Sequence, residues 1–182
     1  MTNRLHSLAA IVVSLAAAAV TTAVVFECFD LRLALTDSST PAGIYQMRPA
    51  TSLLRGDLVS ACLPSNIARF AISRGYLSVS PLSECPEHAA PIGKLLLALP
   101  GDEVEIKPDF VAINGQRFAH SATASHDSGR RNLPRVPAGE YSVPPGSIWL
   151  FGFNDSRSFD SRYYGAVPLS SIQSAAVPLL TW

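Results

Sequence analysis

The chain has 182 residues, 48% of them hydrophobic, with 14 basic and 14 acidic residues and no formal net charge. That length allows one domain and a small addition. Balanced charge without a basic block excludes the electrostatic footprint of a nucleic-acid binder, so no nucleic-acid partner is expected. Fourteen prolines and eleven glycines demand many turns, which predicts short strands and a mostly β fold.

Residues 1–7 (MTNRLHS) are polar and are expected on the cytoplasmic side. Residues 8–26 carry no charge. As a helix they reach about 28 Å, enough to cross a hydrocarbon core. Arg4 precedes this run, and Glu27 and Asp30 follow it, a bias that favours an inside N-terminus with the rest of the chain outside. A retained anchor is expected. The rival is a cleaved signal peptide, since SLAAAAV supplies small-residue sites. Residues 27–34 read as a linker and 35–182 as an exported domain.

Within that domain, Pro-Ala-Gly at 41–43 turns into a strand at Ile44. Residues 56–62 read as a strand after Gly-Asp. Ser65–Arg74 has an N-cap serine, apolar residues at 67, 70, 71 and 72, and Gly75 as a stop, so one short helix is expected. Residues 78–90 read as loop, 93–99 as a strand ended by Pro-Gly, and 102–106 as another strand. Asn114-Gly115 lies between apolar pairs within 110–118 and predicts a hairpin. Residues 121–136 read as an exposed polar loop. Strands are expected at 141–143 and 147–153, and residues 169–174 suit one helical turn.

Only two of the fourteen basic residues are lysines, Lys94 and Lys107. Lys94 heads the apolar run Leu95-Leu-Leu-Ala-Leu99. Alternation puts it on one face with Leu96 and Ala98, while Leu95, Leu97 and Leu99 face the other way, so the strand is expected to be internal. Burial disfavours an ammonium ion, and a neutral amine can act as a base. The bland alternative is a lysine at a strand end whose head group reaches water. Ser39, before Pro41-Ala-Gly43, is a hydroxyl held at a turn. Residues 154–165 (NDSRSFDSRYYG) are dense in hydrogen-bonding groups, with Asp160 and Arg162 placed to pair.

Cys62 and Cys85 fall in the exported part, where disulfides persist. A disulfide is expected, against two free thiols or a metal pair Cys85-x-x-His88 that lacks further ligands. No metal or other cofactor is expected. A Ser-His-Asp arrangement through His126-Asp127, or a metal site from His88, His120 and His126, is set aside: both draw on the most polar loop, and no spaced ligand pair supports them.

Taken together, Ser39-x-Pro-x-Gly-x-Tyr45, Lys94 five residues before Leu99-Pro-Gly-Asp102, and Phe159-Asp-Ser-Arg-Tyr-Tyr-Gly-Ala-Val-Pro168 resemble the signal peptidase S26 family of serine–lysine proteases. The resemblance covers about residues 35 to 182. Gly75-Tyr-Leu, Cys85-Pro, Ser158-Phe-Asp-Ser-Arg and Pro178-Leu-Leu-Thr-Trp182 are similar to its TraF-type conjugative-transfer members. It implies a signal-peptidase-like β-rich domain, with Ser39 as nucleophile, Lys94 as general base and Asp160 as a third functional residue. Ser158 would orient the lysine, and Arg162 would brace Asp160. Leu95 replaces the family's arginine after the lysine. Gly152-Phe-Asn154 replaces its Gly-Asp-Asn. Asp37 stands where leader peptidases place an oxyanion donor, and an ionised carboxylate cannot donate.

The resemblance further implies a single-pass protein of the bacterial inner membrane with its catalytic domain in the periplasm. Its expected partner is an exported or membrane-embedded precursor, in particular a pilin subunit that is cleaved and then released by water or by its own N-terminus as a cyclic product. Two alternatives remain open: a general leader peptidase, and a catalytically idle component of a secretion or conjugation apparatus.

Overall fold

The first apolar run forms α1 (Thr2–Cys28), longer than residues 8–26 because its polar flanks continue the same helix. This computed structural model describes residues 2–34, 41–153 and 157–182. Within α1, Ile11–Cys28 is long and apolar enough to cross a membrane, and none of it is buried against the rest of the chain. The hydroxyls of Thr21 and Thr22 donate to the carbonyls of Ala17 and Ala18, so neither needs water.

Residues 27–34, expected as a linker, contain β1 (Leu31–Ala34). Glu27 and Asp30 made the segment look solvated, but Leu31-Arg-Leu-Ala pairs along β2 (Gly43–Pro49), with Leu31 opposite Gln46 and Ala34 opposite Gly43. The Met47 amide also donates to the Asp30 carbonyl at 2.8 Å, which fastens the helix exit to the sheet.

Next come β3 (Leu58–Ala61) and α2 (Ser65–Arg74). Pro64, not Ser65, occupies the N-cap position of α2, and no side chain caps it; Gly75 closes the helix in the left-handed conformation at φ 74°. β4 (Ile92–Ala98) and β5 (Glu103–Ile106) follow. The hairpin of β6 (Val111–Ile113) and β7 (Gln116–Phe118) turns on Asn114 and Gly115, both at positive φ. Then come β8 (Gly139–Ser142), β9 (Ser147–Phe151), α3 (Ser161–Tyr164), β10 (Val167–Pro168) and β11 (Ile172–Thr181). The helical turn expected at 169–174 is a short 3-10 turn at Leu169–Ser171; the rest enters β11.

Seven strands form one sheet in the order β1-β2-β11-β3-β4-β9-β10, and four form a second in the order β7-β6-β5-β8. The fold is mostly β, behind one apolar helix. β11 lies between β2 and β3. The sequence hides it because Pro178 interrupts the run, and the structure absorbs that proline at a register shift between Pro178 and Leu180.

β4 and β9 serve both cores. Ile92, Leu96, Ile148 and Leu150 pack with Val59, Leu63 and Ala68 against α2. Leu97, Trp149 and Phe151 pack with Val104, Ile106 and Val111 of the second sheet. This explains why residues 95–99 are apolar on both faces. Ala98 departs from simple alternation. A register shift between Leu96 and Ala98 turns it into the second core beside Leu97 instead of onto the face of Leu96.

Two fixtures hold these layers. Cys62 and Cys85 form the expected disulfide, with Cα atoms 5.2 Å apart, and enclose α2. Asp102 accepts from the Leu99 amide at 2.6 Å, from Arg55 at 2.7 Å and from Asn114 at 2.8 Å. Arg55 also reaches the Leu97 carbonyl, so this carboxylate ties the end of β4 to the hairpin. Burial alone would raise its pKa, but the hydrogen bonds from Arg55, Leu99 and Asn114 outweigh that and hold it at about 2 against 3.8.

Two outcomes are expected in denaturant unfolding of the detergent-solubilised chain. Replacing Cys62 and Cys85 by serine should cost about 3 kcal/mol. Asp102→Ala should cost about 1–3 kcal/mol. Because the Asp102 pKa is depressed in the folded state, its stabilisation is complete above 3.8 and is lost as pH falls through about 2. The variant's deficit should therefore shrink across that window, and a deficit independent of pH would contradict the role.

Candidate active site

Lys94 sits in β4 opposite Val59 of β3, one residue before the Leu95–Phe151 pair with β9. It is 4% exposed, so the alternative in which its head group reaches water does not hold. Continuing the β4–β9 register places Gly152 opposite it. A Cβ built on Gly152 would collide with Ser158 Oγ and lie 3.2 Å from Lys94 Nζ. The missing side chain is thus the space in which amine and hydroxyl meet: Lys94 Nζ donates to Ser158 Oγ at 2.7 Å.

Ser158 is held in place by the turn on its C-terminal side. Asp160 and Arg162 are both fully buried. Arg162 Nε donates to Asp160 Oδ1 at 2.8 Å and Nη2 to Oδ2 at 2.7 Å, a two-point pairing that fixes both planes. Asp160 also accepts from the Gly152 amide at 3.0 Å and, as the N-cap of α3, from the Arg162 amide at 3.1 Å. Arg162 reaches onward to the carbonyls of Ala122 at 2.8 Å and Ser158 at 3.4 Å. Burial pulls against the guanidinium charge, but the hydrogen bonds and charge of Asp160 outweigh it and hold Arg162 above its ordinary value. Ser161 anchors the same turn to β9 by accepting from the Leu150 amide.

The structure therefore brings Lys94, Ser158, Asp160 and Arg162 into one buried assembly. Ser39 lies outside the described residues, as do Asp37 and Asn154. Lys107 stands apart in a surface pair with Glu105. Gly152 and Ala122 belong to the assembly although sequence reasoning gave them no role there. The cue for Gly152 was a glycine directly after the apolar strand Ile148-Trp-Leu-Phe151.

Residues of the set-aside chemistries have other partners here. Asp127 is engaged by Tyr76 and Arg131, while His126 Nδ1 meets Ser125 Oγ at 2.9 Å. Cys85 is consumed by the disulfide. Lys94 and Ser158 open onto a cleft of about 530 Å³ that is also lined by Leu77, Ile92, Thr123, Phe159 and Tyr163.

A family model described as signal peptidase, peptidase S26 matches residues 4–181. The chain belongs to the S26 signal peptidase family. It is 34% identical to a plasmid transfer protein TraF of Escherichia coli, over 81% of each chain. It is 38% identical to a conjugal transfer protein TraF of Agrobacterium fabrum, over 79% of each. A signal peptidase I of Bacillus caldolyticus is 31% identical over 43% of this chain and 47% of its own. Membership in this S26 family supports a serine peptidase.

Asp160→Asn should cost about 3–5 kcal/mol, because it leaves a buried guanidinium without its counter-charge. Gly152→Ala should cost about 1–3 kcal/mol by overpacking. Denaturant unfolding checks both, and a wild-type midpoint for either would contradict the packing described.

Proposed function

We propose that this chain is a membrane-anchored endopeptidase in which Ser39 attacks and Lys94 acts as general base. The observation that carries the reading is the Lys94–Ser158 hydrogen bond inside a buried notch that opens on a cleft. A neutral amine can donate an N–H to Ser158 and also accept a proton, which an ammonium ion cannot. Lys94 would take the Ser39 hydroxyl proton as Ser39 Oγ bonds to the substrate carbonyl carbon. The tetrahedral intermediate then collapses, the C–N bond breaks, and Lys94 returns the proton to the leaving amine. Water, or another amine, attacks the ester and frees Ser39. Asp160 and Arg162 act as positioning residues, holding Gly152 and Ser158 about the lysine.

The substrate is an exported precursor. The relatives' names, plasmid and conjugal transfer proteins, support a part in conjugation, and a pilin subunit is the precursor we favour. If the attacking amine is the pilin's own N-terminus, the product is a head-to-tail ring. α1 would hold the enzyme in the bacterial inner membrane with the remaining domain in the periplasm. A general leader-peptidase role is the second reading, favoured by the partial match to a signal peptidase I. An idle member of a conjugation apparatus is the third, and the intact notch argues against it.

The test is mass spectrometry of a candidate pilin co-expressed with the chain, which reports cleavage and cyclisation together. Ser39→Ala and Lys94→Ala should each abolish processing while the protein stays folded. Lys94→Arg should also fail, since a guanidinium stays protonated. Lys107→Ala should be silent. Near-wild-type processing by either alanine variant would sink the mechanism.

Activity should also rise with pH along a limb set by one deprotonation, centred below about 10.4, because burial penalises the ammonium form. A limb near 6.5 that disappears in His126→Ala would point to a histidine base instead.

A further inference from the structure

The chain just beyond Ser39 is held at three successive residues. Tyr45 Oη donates to the Pro41 carbonyl at 2.6 Å. The Trp182 amide donates to the Ala42 carbonyl at 3.1 Å. Gly43 lies so close to β11 that a Cβ built on it would collide with the Leu180 carbonyl and lie 3.0 Å from Thr181 Cα. The second and third holds are made with the C-terminal end of the chain. The first depends on one side-chain hydroxyl, to which the proposed chemistry gives no role.

Tyr45 is built into the sheet. It lies in β2 between Arg32 of β1 and Pro178 of β11, and it is buried, so its hydroxyl meets Pro41 from a fixed place. The pyrrolidine ring of Pro41 sets its own φ. Holding its carbonyl therefore also restricts the direction from which the chain arrives. Only Thr40 separates Pro41 from Ser39. Tyr45 also lines a second cavity, of about 550 Å³, with Val59, Pro91 and Gly93. Val59 is paired with Lys94 across β3 and β4, and Gly93 precedes that lysine. The tyrosine thus borders the neighbours of the lysine while its hydroxyl holds the chain next to the serine.

We propose that Tyr45 is a positioning residue for the nucleophile: its hydroxyl, acting through the Pro41 carbonyl, fixes the chain two residues beyond Ser39 and so sets the approach of that serine to Lys94. This rests on the peptidase reading for the roles of Ser39 and Lys94. The buried lysine is fixed by its own strand and by Ser158, so the alignment of the pair depends on how the serine is delivered. The Tyr45 hydroxyl proton is directed at Pro41, and the residue acts through backbone, not on the substrate.

The test uses the full chain in detergent and a fluorogenic alanine-rich hexapeptide. Tyr45→Phe removes the hydroxyl and keeps the ring. It should lower kcat about ten- to hundredfold with KM near wild type, the scale of a misplaced reacting group. The pH limb should keep its wild-type midpoint, because the surroundings of Lys94 are untouched. Placing p-aminophenylalanine at position 45 restores an N–H donor aimed at Pro41 and should recover most of the lost kcat. Replacing Ala42 by its α-hydroxy analogue turns the Pro41 carbonyl into a weaker ester acceptor. It should lower kcat in the same way, and it serves if Tyr45→Phe does not fold. A second readout needs no cleavage. In the Ser39→Cys, Cys28→Ser chain, the pH dependence of alkylation by iodoacetamide reports the thiol at position 39. A nearby lysine should hold that limb below the ordinary value of about 8.5, and Tyr45→Phe should move it up toward that value, as Lys94→Ala does. If the limb depends on Tyr45 while the wild-type chain cleaves no peptide, the peptidase reading fails and the positioning role stands. A kcat within twofold of wild type in folded Tyr45→Phe, a loss confined to KM, no rescue by p-aminophenylalanine, or an alkylation limb indifferent to the hydroxyl overturns the inference.

Discussion

Placing an amine where little water reaches is costly, and the surroundings of Lys94 are organised around that cost. The lysine lies on a strand shared by both hydrophobic cores, so its stem is buried whichever face it takes. Its head needs polar partners, and Ser158 has room to be one because position 152 carries no side chain. The partner, Ser158, is then held by a turn whose carboxylate and guanidinium satisfy each other. Remove the glycine and the hydroxyl has nowhere to sit; remove the ion pair and the turn that presents the hydroxyl loses its frame.

The same ion pair links the notch to more distant parts of the fold. Asp160 holds the Gly152 amide at the end of β9, and Arg162 holds Ala122 at the start of the long loop. One buried pair thus joins the proposed chemistry to the wall of the cleft. A buried ion pair contributes little net stability against a well-packed apolar substitute. Its use here is geometric, fixing three backbone segments relative to one amine.

Much of this was legible in the sequence, for identifiable reasons. Strong local signals survived: the apolar helix, the Asn114-Gly115 hairpin, the bounds of α2 and the internal character of β4. The disulfide followed from the exported position of Cys62 and Cys85. Signals that depend on long-range pairing did not survive. β1 was hidden by acidic neighbours and β11 by Pro178. Ala98 was assigned the wrong face because a bulge leaves no mark in residue type. The loop 121–136 read as solvated, since nothing in its composition reveals that Arg131 would meet Tyr76 and Arg74 through one carboxylate. Gly152 was visible as a glycine directly after an apolar strand, but its purpose, space for two side chains from distant segments, appears only in three dimensions.

The proposed activation of Ser39 by the buried amine runs through a covalent acyl-enzyme. The most direct measurement is peptide mapping by mass spectrometry after a denaturing quench during turnover of a precursor. An ester-linked substrate fragment is expected on Ser39 and absent from the Lys94→Ala chain. Cleavage that proceeds with no adduct on Ser39, or with the fragment attached to a different residue, would contradict it.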